Sequence, residues 1–472
     1  MTNAPANLWR LIRAGRTLAA YDALLPAMHY AELPASARIL LKIAKLGTRI
    51  DRENSDNPLA AALVTLGPSY IKLGQFLATR SDLVGEERAR DLTMLQDRLK
   101  PFPQQQALDE IRKAFDADPQ ALFSHFGEAV AAASIAQVHR ARTSDGRDVA
   151  VKILRPGIEK QFANDLESFL FAAQSIERWH KPSRRLRPIE AVETLARSVK
   201  LEMDLRMEAA AIAEMGQNVK NDKGFRVPIV DWALTAQRIL TTDWIDGVPL
   251  GDSGRLREAG HDLDRLAEVL IQSFLRHAIR DGFFHADMHQ GNLFVDEEGR
   301  LAAVDFGIMG RLSPKDRRFL AEILLGFITR DYAHVSKVHF DAGYVPETQE
   351  PAIFAQALRA IGEPLMDKTA EDISMARLLT QLFQVTGQFN MQTQPQLLLL
   401  QKTMVVVEGV ARGLDPKLDI WTTSEPVVRE WVERHLGPAG RLEGAAEGAS
   451  EFGRFLGNVP GLLTRAGVLV EQ

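Results

Sequence analysis

Four side chains in a fixed order suggest what this 472-residue chain can do. His285-Ala286-Asp287 is followed by Asn292, five positions beyond the aspartate, and then by Ala303-Val304-Asp305-Phe306-Gly307. Two carboxylates and an amide make a hard oxygen set of the kind that binds Mg²⁺, a cation that takes oxygen ligands and keeps several waters. Upstream, Asp148-Val149-Ala150-Val151-Lys152 alternates in the manner of a half-buried strand and ends on a cation. A fixed cation with a metal site is the equipment for handling phosphate, whose transfer spreads negative charge over several oxygens.

The order and spacing are those of a kinase. In that signature a strand lysine meets the α- and β-phosphates, the first aspartate faces the attacking hydroxyl, and the asparagine and second aspartate bind Mg²⁺. Lys152, Asp287, Asn292 and Asp305 occupy those places. A lysine on a half-buried strand needs a counter-charge, and Glu202 on the following helical stretch is the expected partner, with Glu193 and Glu208 as alternatives. Asp243, just past the strand Arg238 to Thr242, is placed with the ATP-binding set. His285 is expected to prop the loop, and His289 to be a surface histidine. Each motif alone has a bland reading: a turn, an edge strand with a solvated lysine, an exposed helix face. Four in the right order on a strand, a helix, a loop and a strand-to-loop junction do not share one. Where a typical kinase covers the phosphates with glycines, this chain has Ala131, Ala132, Ala133 and Ser134. Side chains there restrict the backbone, so nucleotide should be held differently.

The elements that must position these residues fall into four stretches. Residues 1–115 read as an all-helical extension with breaks at Pro34, Pro58, Pro101 and Pro103, and with Leu40, Leu41 and Ile43 among Arg38, Lys42, Lys45 and Arg49. Residues 116–245 carry strands at Gln137 to Arg142, Asp148 to Leu154 and Arg238 to Thr242. The first two are joined by a Ser144-Asp145-Gly146 turn. A helical stretch from Ile158 to Val219 is interrupted near Pro182 and Pro188. Residues 246–436 are mostly helical, with Leu266, Val269, Leu270, Phe274 and Ile279 at helical spacing and Gly282 as a stop. Residues 437–472 form a Gly- and Ala-rich tail. The expected fold is α+β and bilobal, a small strand-bearing N-lobe before a helical C-lobe.

Composition sets the outer limits. With 46% hydrophobic and 25% charged residues the chain is globular, and 57 Lys+Arg against 62 Asp+Glu leave a net charge of −5, which points away from nucleic acid. The absence of cysteine removes disulfides and thiolate chemistry and suits a reducing compartment. The first apolar stretch is broken by Arg10, Arg13 and Arg16, so no export signal is expected, and no later run reaches the ~20 apolar residues of a spanning helix. Those arginines with Arg38, Lys42, Lys45 and Arg49, beside Trp9, Leu11, Ile12 and Leu40, suit either peripheral contact with an anionic membrane or the solvated face of a helix packed on the core.

From about residue 30 to about residue 420 the chain resembles the UbiB family of atypical kinases, which includes the mitochondrial coenzyme Q regulators. Lys72-Leu73-Gly74-Gln75 looks like its KxGQ motif, and Ala131 to Ser134 like its Ala-rich loop. Glu202-Met203-Asp204 is similar to its ExD motif with Glu208 trailing, and Val406 to Pro416 to its closing helix. Met288 and Gln290 stand where the family's loop has prolines, a change expected to loosen the loop without removing a ligand. Many bacterial members end in membrane helices, which this chain does not show.

The resemblance implies an extension packed over the site, with Lys72, Gly74, Gln75, Asp204 and Glu208 as its regulatory residues. It also implies ATPase activity with ATP and Mg²⁺, in support of ubiquinone biosynthesis. Quinone-pathway enzymes and isoprenoid-quinone precursors become the expected partners, and the cytoplasm or the inner face of the cell membrane the expected location. The alternatives are a small-molecule phosphotransferase, which shares the Asp-Asn-Asp arrangement, and a non-catalytic nucleotide-gated scaffold. The KxGQ motif and the Ala-rich loop argue against the first.

Overall fold

The computed structural model describes residues 4–21, 23, 57–78, 80, 84–93, 95, 99–179, 184, 186–366, 385, 388–391 and 395–437. The basic segment around Arg38, Lys42, Lys45 and Arg49, with Pro34, Leu40, Leu41 and Ile43, lies outside them, as do Pro182 and the tail beyond Gly437. The chain divides into two compact units, Met1–Ala210 with Ile229–Trp244, and Ala211–Pro228 with Ile245–Gln472.

The first unit opens with helices α1 (Ala4–Ala20), α2 (Pro58–Leu66), α3 (Pro68–Ala78), α4 (Glu86–Thr93) and α5 (Gln104–Phe115). Local chemistry sets the boundary between α2 and α3. Asn57 caps α2 by accepting from the Ala60 amide, and Gly67, at φ +104°, ends it in a conformation that side chains avoid. Four antiparallel strands follow in the order β1 (Phe123–Ala132), β2 (Ala136–Thr143), β3 (Asp148–Leu154) and β4 (Ile239–Asp243). The β2–β3 hairpin is the expected one, closed by Gly146 at φ +91°. Alternation explains which way Lys152 faces. Val149, Val151 and Ile153 enter a core with Ala107 and Ile111 of α5, Phe123, Ala141 and Ile239, each large side chain contributing about 1.5–3 kcal/mol of burial. Lys152, one residue out of phase, is left on the opposite face. Helices α6 (Ile158–Trp179), α7 (Pro188–Glu202) and α8 (Leu205–Asn218) follow β3.

The second unit holds β5 (Gly247–Pro249), β6 (Phe283–His285), β7 (Leu293–Asp296), β8 (Leu301–Ala303) and β9 (Met309–Arg311). One sheet runs from the two-residue strand Phe225–Arg226 through β8 and β7 to β5, and β6 pairs with β9 in a second. Helix α9 (Leu263–Leu275) buries Leu266, Leu270 and Phe274, passes into one wide turn over Arg276–Asp281, and stops at Gly282 in the left-handed region. Helices α10 (Pro314–Ile328), α11 (Tyr332–Asp341), α12 (Pro351–Met366), α13 (Pro395–Leu414) and α14 (Ile420–Leu436) complete the unit, with α13 and α14 against α9. Strands followed by helices in this arrangement are the kinase-like α+β fold.

Candidate functional site

In the second unit the strand register brings the metal-type residues together. Leu293 of β7 pairs with Ala303 of β8, so Asn292, just before one strand, adjoins Val304, just after the other. The Val304 amide donates to the Asn292 carbonyl at 2.9 Å. Asp305 is next, at φ +61°, a left-handed conformation that costs a non-glycine residue roughly 1–2 kcal/mol. Aspartate is among the few side chains that enter that region, and strain of this kind collects at functional sites. Phe306 is buried edge-on to the His285 ring, 5.0 Å between centroids. Gly310 is required on β9, where a Cβ would meet the Phe284 ring at 2.1 Å.

His285 is fully buried, and both of its nitrogens are engaged. Nε2 lies 3.2 Å from the Val304 carbonyl, and Nδ1 accepts from the Asp287 amide at 3.0 Å. Burial pushes its pKa down, so the ring stays neutral, with the proton on Nε2 for the carbonyl. It props the loop from both sides, as its sequence context predicts. Asn292 commits Nδ2 to the Asp287 carbonyl at 3.1 Å, which leaves its Oδ1 lone pairs for a cation. From the far side Thr403 of α13 donates to the Ala286 carbonyl at 3.1 Å. Nothing in the sequence marks Thr403, which lies three residues before the closing-helix motif. Met288, where a proline is expected, is fully buried. His289 is half exposed, its Nε2 3.7 Å from Asp287 Oδ2.

A carboxylate and an amide oxygen beside it suit Mg²⁺, which takes few protein ligands and keeps waters. Among the described residues no group of three or more His, Cys, Asp or Glu forms a denser metal cluster.

In the first unit Lys152 meets Glu208, with Nζ 2.8 and 2.9 Å from the two carboxylate oxygens and both side chains largely buried. This corrects the expected pairing with Glu202. Glu202 instead accepts Lys72 of α3 at 2.6 Å, also shielded from solvent. The reason is a break in the helix. Helix α7 ends at Glu202, and Asp204 takes the Arg206 amide and guanidinium on its carboxylate as α8 begins, putting Glu208 in the first turn of α8. Arg206 hydrogen-bonding holds the Asp204 carboxyl below its usual range. An aspartate directly before an amphipathic run was the available signal for a new helix. Gly74 serves packing, since a Cβ there would sit 2.7 Å from Leu63 and 2.8 Å from Leu95; Gln75 on the same helix is partly buried. Asp243 Oδ1 takes the Ile229 amide, while its own amide donates to the Ile229 carbonyl at 2.9 Å.

The Ala-rich stretch closes the β1–β2 hairpin. Ala131 and Ala132 end β1, opposite Val138 and Gln137, and the Ala133 amide donates to the Ala136 carbonyl at 2.8 Å. That amide is therefore spent inside the turn, where a glycine-rich loop would offer it to phosphate. Ser134 is fully buried. Ala136 pairs with Leu154 and Val138 with Lys152, so the turn lies two residues along the ladder from the lysine.

Residues 94–339 match the ABC1 atypical kinase-like domain and residues 358–419 the UbiB helical domain. The chain is 39% identical over 446 residues to the probable protein kinase UbiB of Marinobacter nauticus, covering 93% of this chain and 81% of that protein. It is 39% identical to that of Azotobacter vinelandii, covering 84% and 75%. One solved structure, the Rv3197–erythromycin complex from Mycobacterium tuberculosis, is similar with a TM-score of 0.45 at 23% identity, covering 81% of this chain and 98% of that one.

Proposed function

The chain belongs to the UbiB family of atypical kinase-like proteins, and on that premise we propose that it is a Mg²⁺-dependent ATPase of the kinase-like class that supports ubiquinone biosynthesis at a membrane surface. The observation that carries the reading is the second unit's oxygen set. Asp305 is held in a strained conformation beside an Asn292 whose amide nitrogen is already occupied.

Asp305 and Asn292 Oδ1 would hold Mg²⁺, which when bound with ATP offsets the charge developing on the phosphate oxygens. Asp287, with His285 fixing its amide and Asn292 its carbonyl, would orient the attacking O–H and accept its proton at the carboxylate. Lys152 would meet phosphate oxygens with its ammonium, kept in place by Glu208. Ala131 to Ser134 would lie against the nucleotide without donating the Ala133 amide to it.

The quinone role is supported by the family resemblance and by the UbiB name of the relatives. A peripheral membrane role is supported by α1, whose outward face carries Leu8, Trp9 and Ile12 at 52%, 62% and 53% exposure beside exposed Arg13 and Arg16. Among the described residues no helix is long and apolar enough to cross a membrane.

The test is Mg-ATP turnover by the wild type and by Asp305→Asn. An amide cannot supply the carboxylate charge, so the variant should lose at least about a hundredfold in turnover. Undiminished turnover in Asp305→Asn sinks the site assignment. Tight Mg-ATP binding by the wild type without turnover would instead favour a nucleotide-gated scaffold.

A further inference from the structure

The Ala-rich turn is fastened from outside by residues that no motif marks. Arg155, just past β3, donates to the Ala133 carbonyl from Nε at 3.0 Å and from Nη2 at 2.8 Å, and the same Nη2 reaches the Lys100 carbonyl at 3.0 Å. The Leu99 amide donates to the Ala132 carbonyl at 3.1 Å. Gln137, fully buried, behaves as a piece of backbone. Its Oε1 accepts the Phe102 amide at 2.8 Å and its Nε2 donates to the Phe102 carbonyl at 3.2 Å. Nε2 also lies 2.8 Å from His139 Nε2, while His139 Nδ1 is 2.9 Å from the Gly127 carbonyl, so the proton sits on Nδ1 and Nε2 accepts. Gln104 Nε2 adds bonds to the Phe126 and Gly127 carbonyls. Residues 99–104 thus form a strap along the β1–β2 hairpin, bonded to it at both ends and in the middle.

The chain leading into the strap is seated in the helical extension. Leu92 and Leu95 close over Gly74 of α3, where a Cβ would meet Leu95 Cδ2 at 2.8 Å and Leu92 Cδ2 at 3.4 Å. Gly74 of α3 thus packs directly on Leu95, four residues before the first strap contact.

We infer that Arg155 and Gln137 are positioning residues that tie the Ala-rich turn to the strap, so that the packing of the helical extension sets the turn's conformation and, through it, nucleotide affinity. The last step rests on the ATP-binding reading above; the mechanical step does not. Charge-assisted bonds to a carbonyl are the strong ones, and a turn whose amide and carbonyl are both committed has few other conformations to adopt.

The experiment reads the turn directly, by amide hydrogen exchange across residues 131–136 in the full chain without nucleotide, alongside dissociation constants for Mg-ATP and Mg-ADP. Arg155→Met keeps the stem and removes the donors, so exchange at the turn should rise about tenfold. Mg-ATP affinity should change by a similar factor while kcat moves less, and Arg155→Lys should recover part of the loss. A merely structural arginine would lower the melting temperature without moving exchange at the turn or the affinity.

Coupling is read by Gly74→Ala, or by Leu95→Ala, which leaves a void instead of a clash and guards against a variant that fails to fold. Either should alter exchange at 131–136 in the wild type and add nothing in the Arg155→Met background. Fold-changes that simply multiply, or an Arg155→Met turn that exchanges as in the wild type, overturn the inference. A wild type that binds no nucleotide but keeps the non-multiplying exchange pattern supports the mechanical coupling while removing the ATP reading.

Discussion

Glu202 and Glu208 stand six residues apart, and which of them meets Lys152 decides how each responds to substitution. Lys152 and Glu208 are both largely buried, so removing either charge breaks an ion pair in a poorly hydrated place, a loss of about 3–5 kcal/mol for a buried pair. Glu208→Gln keeps one acceptor and should soften that loss while releasing the ammonium from its fixed position. Its expected signature is weaker Mg-ATP binding by about tenfold or more, measured by calorimetry. Glu202→Gln should leave nucleotide affinity within about twofold, because it leaves the Lys152–Glu208 pair intact. The reverse ranking of the two variants would return Glu202 to the lysine. At this scale the sequence offers candidate residues by type and order, but not the lysine's partner. Pairing depends on where a helix breaks, and the break at Met203-Asp204 is a matter of two residues in a run that reads as helical throughout.

Elements were legible where one periodicity held over their whole length. The β2–β3 hairpin shows alternation on both sides of a glycine turn, and α9 shows helical spacing up to a left-handed glycine. Strand β1 escaped notice because its pairing with β2 shifts register at three places, which breaks the alternation that would announce it. The first helix shows a different limit. Arg10, Arg13 and Arg16 read as one basic face, but Arg10 turns inward, with Nη1 3.0 Å from Asn7 Oδ1 and 3.2 Å from the Asn164 carbonyl on α6. What α1 presents outward is an apolar stripe with Arg13 and Arg16 at its side, an arrangement better suited to an interface than to water alone. We expect binding to anionic liposomes in a co-sedimentation assay, weakened by salt and reduced by Arg13→Glu with Arg16→Glu, each basic residue contributing about 1 kcal/mol near such a surface. Trp9→Ala should weaken binding at every salt concentration. Arg10→Glu should act chiefly through stability. Equal sedimentation with neutral vesicles would remove the electrostatic part of this account, and none with either kind at low salt would remove it all.

Across the second unit, buried histidines make folding depend on pH in a direction that follows from their surroundings. Burial lowers the pKa of His277 to about 3, with Asp222 opposing and Arg280, Arg276 and His285 reinforcing the shift, and lowers that of His339 to about 4, with its Nδ1 bonded to the Val335 carbonyl. Neither ring nitrogen of His277 has a hydrogen-bond partner among the described residues; the nearest carboxylate oxygen, on Asp222, is 3.8 Å away. A histidine whose folded pKa lies below its unfolded value of about 6.5 takes up a proton on unfolding, so its neutral form favours the folded state above that pH. That contribution fades as the pH falls from about 6.5 towards the folded pKa. Between pH 7 and pH 5 each should withdraw about 2 kcal/mol, and the two together should lower the melting temperature of the unit by about ten degrees. His277→Leu replaces a ring with unpaired nitrogens by an apolar side chain in an apolar place, so at neutral pH it should be close to neutral in stability. In the acid limb it should make the fall in melting temperature shallower, by about a third if His285, also buried and neutral, is counted with His277 and His339, because one proton fewer is taken up on unfolding. A melting temperature that is flat from pH 7 to pH 5, or an acid slope unchanged in His277→Leu, would mean that these rings are solvated or protonated in the folded chain.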